Sequence, residues 1–224
     1  MMRRVIEQQG PQRDESRRGE ELPAFGFERP RRDQLRIRSR DNRLAHGRDV
    51  GVERGRFERA YWRHRRAYDL GRRATDYWRD TLHDLGVSDR AVLESLIDLD
   101  VQSWTRYREP MWTLARDVRV SGVKTAILSN GVPEVMARVR ADRPLAEIFD
   151  VVVVSYELGH AKPDREIYEA TLSRIGVLPH DALFVDDRSE NITAAEELGL
   201  QTFHFTGGDR FGRFQAYLTE ELSK

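Results

Sequence analysis

The chain has 224 residues, and its composition excludes several classes of protein. It contains 38 Lys and Arg against 38 Asp and Glu, so no net charge draws it to nucleic acid or to a membrane surface. It contains no Cys, which excludes disulfides, thiolate metal sites and cysteine nucleophiles. No apolar run reaches the ~18 residues that a membrane span requires. We therefore expect a cytoplasmic protein with neither a nucleic-acid nor a membrane partner.

The N-terminal segment, residues 1–52, differs from the rest of the chain. It holds 13 Arg and no Lys against 9 Asp and Glu. Its apolar residues follow neither the helical nor the strand period, and Pro11, Pro23 and Pro30 interrupt them. This pattern predicts an atypical, poorly ordered segment. A basic arm for nucleic acid is disfavoured, because acidic residues are interleaved throughout.

Residues 53–108 are predicted to form a small helical domain. Phe57, Tyr61 and Tyr68 lie at helical spacing, and two further helical patterns follow before residue 108. The aromatic stripe predicts packing rather than a cofactor site. Arg63, His64 and Arg65 are candidates for binding an anionic substrate, but a solvated helix face is the favoured explanation of this run.

Residues 109–224 alternate between helical and strand patterns. This alternation predicts a Rossmann-like α/β core, in which a parallel sheet carries helices on both faces. The predicted strands are apolar runs at 124–129, 151–155, 182–185 and 201–205.

Polar side chains follow three of these predicted strands. Ser129 and Asn130 come after "AIL", Lys162 lies in a loop after "VVVV", and Asp186 and Asp187 come after "LFV". Because ligands bind beyond the carboxyl ends of parallel strands, we expect these side chains to converge. A hydroxyl, an ammonium group and two carboxylates suit a phosphoryl group with Mg²⁺. Taken singly, the same residues are explained by a turn, a solvated lysine and a helix cap.

Three stretches in this order carry a specific resemblance. "AILSNG", "AKPDREIY" and "LFVDDRSENITAAEELG" resemble motifs II, III and IV of the haloacid dehalogenase-like (HAD) hydrolase superfamily. The spacings fit, and residues 53–108 resemble the small helical cap of its phosphatase-type branch. The haloacid dehalogenases share the first two elements but lack the Asp-Asp pair and need no metal. The resemblance therefore implies a Mg²⁺-dependent phosphatase acting on a small phosphorylated metabolite.

The resemblance also implies residue roles. Ser129 would bind phosphoryl oxygens, with Asn130 and Gly131 shaping the substrate site, and Lys162 would stabilise the phosphoryl group and the nucleophile. The metal ligands would be Asp186 and Asp187, the second binding Mg²⁺ or orienting it. A further Asn, Asn191, matches a position after the acidic pair, where a structural role at the start of a helix is an equal alternative.

The nucleophile of the family, an Asp at the end of the first strand that forms an aspartyl-phosphate, is not identifiable. The nearest candidate strand contains Val5 and Ile6, which would place Gln8 at the nucleophile position with Glu7 out of register. A D-x-D sequence at Asp98 and Asp100 is better explained as solvated carboxylates of a continuing helix.

Three explanations account for the missing motif. The chain is a degenerate member that binds without turnover, or it uses an unrecognised carboxylate, or residues 1–52 are not the natural N-terminus. We favour the last, since an Arg-rich, Lys-free, aperiodic stretch is typical of a shifted reading frame. The expected function is a HAD-like phosphatase, monomeric or homodimeric, and the alternative is a catalytically impaired HAD-like protein.

Overall fold

The computed structural model describes residues 4–7, 34–37, 50–88, 91–206 and 209–222. The strands are β1 (Arg4–Glu7), β2 (Gln34–Ile37), β3 (Val50–Glu53), β4 (Lys124–Ser129), β5 (Val151–Val154), β6 (Ala182–Asp186) and β7 (Gln201–His204). The helices are α1 (Arg54–Arg63), α2 (Arg65–Asp69), α3 (Ala74–Asp84), α4 (Ala91–Trp104), α5 (Glu109–Val120), α6 (Pro133–Asp142), α7 (Leu145–Ile148), α8 (Ser155–Leu158), α9 (Arg165–Ile175), α10 (Ser189–Glu197) and α11 (Arg210–Leu222). Within these residues, no helix has the length and apolar character that crossing a membrane requires.

The core of the fold is a five-stranded parallel sheet in the order β5-β4-β1-β6-β7. This arrangement confirms the predicted Rossmann-like α/β fold. The side chains of successive β4 residues lie on opposite faces of the sheet. Ala126 and Leu128 belong to the apolar cluster that includes α9 and α10, whereas Ile127 belongs to the cluster that extends to α5 and α6. Burial on both faces explains why the strands read as continuous apolar runs.

The central strand comes from the N-terminal segment. Strand β1 pairs with β4 on one side and with β6 on the other. Its last residue, Glu7, is level with Ile127 of β4 and Val185 of β6. The candidate strand at Val5 and Ile6 is therefore confirmed, while Gln8 lies outside the described residues.

Two further strands of the N-terminal segment form a separate antiparallel pair. Strand β2 pairs with β3, and β3 leads directly into α1. The side chain of Glu53 accepts hydrogen bonds from the backbone N–H groups of Gly55 at 2.7 Å and Arg56 at 2.8 Å. It thereby caps the start of α1. The sequence analysis assigned no strand here, because four-residue alternations are too short to show a period.

Helices α1 to α4 form the cap, within the predicted range of residues 53–108. The predicted aromatic stripe packs as expected, since Phe57, Tyr61, Tyr68 and Trp78 are fully buried. The rings of Tyr68 and Tyr77 stack with their centroids 4.3 Å apart. The aromatic stripe does not lie on one continuous helix, because the chain turns at residue 64, between α1 and α2.

The cap contacts the core through polar groups from α2. Arg66 donates to both carboxylate oxygens of Asp164, each at 2.8 Å. Tyr68 donates its hydroxyl to Glu134 at 3.1 Å, and the buried Ser155 hydroxyl donates to the carbonyl of Asp69. These bonds hold α2 against α6, α8 and the residue that caps α9.

Candidate functional site

The loop that follows β4 forms one wall of the candidate site. Ser129 ends the strand and is buried. Asn130 uses both ends of its amide on Lys162, because Nδ2 donates to the Lys162 carbonyl at 2.8 Å and Oδ1 accepts from its N–H at 2.7 Å. A Cβ at Gly131 would lie 2.9 Å from side-chain atoms of both Met136 and Val154. The Asn130 amide therefore fixes the lysine loop, and only glycine fits at position 131.

The ammonium group of Lys162 is fully enclosed. Its Nζ donates to the carbonyl of Leu128 at 2.8 Å and to Oδ2 of Asp186 at 3.1 Å. It also lies 5.6 Å from the centre of the Phe184 ring. Burial lowers the pKa of Lys162, and the neighbouring Asp186 carboxylate opposes that effect. A solvated loop lysine is therefore excluded.

The carboxylate of Asp186 is held by four hydrogen bonds. Oδ1 accepts from the backbone N–H of Arg188 at 2.8 Å and from Nδ2 of Asn191 at 3.1 Å. Oδ2 accepts from Nζ of Lys162 at 3.1 Å and again from Asn191 at 3.1 Å. A carboxylate offers about four lone-pair positions, so these donors use the full capacity of Asp186. Asn191, at the start of α10, has the structural role.

The neighbouring Asp187 differs from Asp186 in burial and in hydrogen bonding. It is only partly buried, and no described side chain donates a hydrogen bond to its carboxylate. Burial raises the pKa of Asp187, and repulsion from the Asp186 carboxylate adds to the increase. Asp187 is therefore the acidic side chain of the pair that retains capacity for a further ligand.

The structure brings the predicted site residues to one edge of the sheet. Ser129, Asn130 and Gly131 follow β4, and Lys162 reaches from its loop to Asp186 at the end of β6, with Asp187 next in the chain. The D-x-D sequence lies elsewhere, on α4 of the cap. There Asp98 is exposed, as expected, but Asp100 is fully buried, so the interpretation of both as solvated carboxylates was wrong for Asp100.

The Arg63–Arg65 run does not present free cations. Arg63 and His64 contact the carboxylate of Asp84 at 3.1 and 3.0 Å. Arg65 is buried, which contradicts the expected solvated helix face. Its Nε donates to Asp69 at 2.7 Å, and its Nη1 donates to the Tyr61 hydroxyl. Arg65 also lines the pocket described below, and its role in binding an anionic substrate stays a prediction.

A charged cluster in the cap, formed by Arg65, Asp69 and Asp100, was missed in the sequence. Asp100 Oδ1 accepts from the Tyr61 hydroxyl and from Trp104 Nε1, both at 2.9 Å. Its Oδ2 has no hydrogen-bond partner among the described residues and lies 4.0 Å from Arg65 Nη1. Burial raises the pKa of Asp100, while Arg65 opposes that effect. The available signal was the spacing of four residues from Arg65 to Asp69.

A pocket separates the cap from the loop after β4. Its cavity volume is about 30 Å³, and it is partly open to solvent. Arg65 and Trp104 line it from the cap, and Ser129 lines it from the core. The remaining lining residues belong to β4, the following loop and α6: Ile127, Asn130, Gly131, Val132, Val135, Met136 and Val139.

The oxygen ligands at this edge suit Mg²⁺, which proteins bind through one or two carboxylates together with waters and substrate phosphate. Asp187 retains ligand capacity, whereas Asp186 would have to release a present donor. Among the described residues, no group of three or more His, Asp or Glu side chains forms a closed metal site. Asp187 is the carboxylate at this edge that could hold such an ion without losing a present hydrogen bond from a described side chain.

The chain belongs to the haloacid dehalogenase-like hydrolase family, whose model matches residues 25–199. D-ribitol-5-phosphate phosphatase of Bacteroides thetaiotaomicron is 42% identical over 66 residues, or 30% of this chain and 32% of that protein. The (S)-2-haloacid dehalogenase 1 of a Pseudomonas species is 28% identical over 140 residues, or 59% of this chain and 61% of that protein. The matches thus span less than two thirds of either relative.

A solved structure supports the fold over nearly the whole chain. It is a HAD family enzyme from Bacteroides thetaiotaomicron, a mutant in complex with magnesium and inorganic phosphate. The TM-score is 0.59 at 16% identity, covering 93% of this chain and 96% of that one. Together with the phosphatase relative, the Asp-Asp sequence supports the phosphatase-type branch of the family.

Proposed function

We propose that this protein is a phosphatase that hydrolyses small phosphomonoesters with the help of Mg²⁺. The observation that carries the proposal is the enclosed Lys162–Asp186 pair beside Asp187, at the strand edge that Ser129 also borders. A fixed ammonium group compensates phosphate charge without reorganising during the reaction. The partner is then a small phosphorylated substrate, and the protein acts as a monomer or homodimer.

Each side chain has a distinct task in this proposal. Ser129 binds phosphoryl oxygens, and Lys162 neutralises their charge. Asp186 holds Lys162 in place rather than binding the metal. Asp187 holds Mg²⁺, which when bound would supply additional positive charge at the phosphoryl group. The two carboxylates that the sequence treats alike are thereby assigned different roles.

The attacking group is the part of the reaction that the described residues do not supply. The resemblance implies an Asp at the end of the first strand, which would form the aspartyl-phosphate. Strand β1 ends at Glu7, and the sequence continues with Gln8 and Gln9. An amide is not a nucleophile for this reaction. This observation favours a second candidate function, a HAD-like protein that binds phosphate esters without turnover.

Hydrolysis of p-nitrophenyl phosphate by the purified chain tests the proposal, with Mg²⁺ and with a chelator. We expect metal-dependent release of nitrophenol that Asp187→Asn abolishes. Asp98→Asn is the matched control, because it removes an exposed carboxylate of the cap and should leave the rate unchanged. Absence of turnover in a folded sample that still binds inorganic phosphate would reject the phosphatase and support the binding protein.

A further inference from the structure

The peptide unit that follows Asp187 is held by hydrogen bonds at both of its ends. The carbonyl of Asp187 and the N–H of Arg188 belong to this one planar unit and point in opposite directions. The N–H donates to Oδ1 of Asp186 at 2.8 Å. The carbonyl oxygen lies 3.1 Å from Nε2 of His204. The two contacts together fix the orientation of the peptide.

His204 reaches this carbonyl from the neighbouring strand. It is the last residue of β7, at the edge of the sheet, and it is level with Asp186 of β6. A carbonyl oxygen can only accept a hydrogen bond, so Nε2 of His204 carries the proton in this contact. The residue is exposed, so apolar packing contributes little to its placement. The polar contact with Asp187 is therefore the interaction that distinguishes this side chain.

The carboxylate of Asp187 depends on its backbone for its direction. Four donors hold the Asp186 carboxylate, whereas no side chain in the described part of the chain donates to that of Asp187. The backbone N–H of Asp187 itself lies against its carboxylate and opposes the rise in its pKa. The direction of the carboxylate therefore follows the backbone on either side of it, and His204 holds one of those two peptides.

Resting on the proposed function, we propose that His204 is a positioning residue for Asp187. By donating to the Asp187 carbonyl, it keeps the carboxylate in the orientation that binds Mg²⁺, and it touches neither the ion nor the substrate. Groups that orient a metal ligand from outside the coordination sphere change metal affinity by about 10- to 100-fold when they are removed. A surface hydrogen bond that contributes to stability alone would leave the affinity for Mg²⁺ unchanged.

Calorimetric titration of Mg²⁺ into the protein, at a fixed concentration of inorganic phosphate, tests this role. His204→Leu removes the donor, and we expect it to weaken Mg²⁺ binding by about tenfold. His204→Gln supplies an amide N–H that can reach the same carbonyl, so it should retain most of the affinity. Urea unfolding of both variants should match that of the unmodified protein, because the side chain is exposed.

His180→Leu is the matched control. His180 is also exposed, but it precedes β6 and so lies at the opposite edge of the sheet. It should bind Mg²⁺ as the unmodified protein does. The inference is overturned if His204→Leu keeps full affinity, if His204→Gln loses as much as His204→Leu, or if His180→Leu loses as much. Absence of Mg²⁺ binding in the unmodified protein would instead reject the proposed function, and this inference with it.

Discussion

Two buried charged clusters, one in the core and one in the cap, differ in how their charges are paired and hydrogen-bonded. In the core, one cation faces one carboxylate, and four hydrogen bonds use the full capacity of Asp186. In the cap, Arg65 faces both Asp69 and Asp100, and within the described part of the chain one oxygen of Asp100 has no hydrogen-bond partner. The four hydrogen bonds of Asp186 fix the position of Lys162, whereas the cap cluster holds one cation against two carboxylates.

The largest effect is expected when the core pair is broken. Asp186→Asn removes the carboxylate that forms the ion pair with Lys162, so the ammonium group is left buried with only the charge of Asp187, which makes no ion pair with it, nearby. We expect the free energy of unfolding to fall by about 3–5 kcal/mol in urea denaturation. Asp187→Asn is the matched control and should cost less than about 1 kcal/mol. Equal losses in the free energy of unfolding would contradict the different roles of Asp186 and Asp187.

A smaller loss is expected when the cap cluster loses its shared hydroxyl. Tyr61→Phe removes the group that donates to Asp100 and accepts from Arg65. We expect the free energy of unfolding to fall by about 1–3 kcal/mol, the cost of buried polar groups left without partners. Tyr156→Phe, which removes a more exposed hydroxyl bonded to Glu157, should change it by less than about 0.5 kcal/mol. A neutral result for Tyr61→Phe would mean that the cluster is not tightly coupled.

The pH dependence of stability tests the raised pKa of Asp100 in the cap cluster. Burial raises the pKa of Asp100 above its value in the unfolded chain, so the folded protein binds the extra proton. Its contribution to stability is therefore full at low pH and declines as the pH rises through the raised pKa. Between about pH 4 and pH 8, the free energy of unfolding should decline less in Asp100→Asn than in the unmodified protein. Identical slopes would contradict a raised pKa at this residue.

The smallest loss of stability is expected when an ion pair between the cap and the core is broken. Arg66→Ala removes the partly exposed ion pair with Asp164 that joins the cap to the core. We expect the free energy of unfolding to fall by about 0.2–1 kcal/mol, together with weaker binding of inorganic phosphate in the presence of Mg²⁺. Arg63→Ala breaks an ion pair within the cap and is the control for binding. Weakened binding in both variants alike would argue against a specific role of the joining pair.

The sequence predicted the core better than the cap for a physical reason. Ser129, Lys162 and Asp186 each follow an apolar strand, and parallel strands bring their ends together. The different states of Asp186 and Asp187 could not be predicted, because they depend on donors from Arg188, Lys162 and Asn191 that only the fold assembles.

The cap cluster was missed because its members look like ordinary helix-surface charges. Arg65 and Asp69 have the spacing of an exposed ion pair, and Asp100 shares its short D-x-D sequence with the exposed Asp98. Their burial follows from how α1, α2 and α4 pack together, which no local pattern records. In the N-terminal segment, β1 was correctly found from two apolar residues, whereas β2 and β3 were missed. For the residues of 1–52 outside these three strands, poor order stays a prediction.

Calorimetric titration of inorganic phosphate with Mg²⁺ into the unmodified protein and into Asp187→Asn tests the central claim most directly. The claim is that Asp186 holds Lys162 in place, while Asp187 binds the Mg²⁺ on which phosphate binding depends. We predict that Asp187→Asn weakens Mg²⁺-dependent phosphate binding by at least about tenfold while its free energy of unfolding stays nearly unchanged. Phosphate binding by a folded Asp187→Asn variant that equals the binding of the unmodified protein would contradict it.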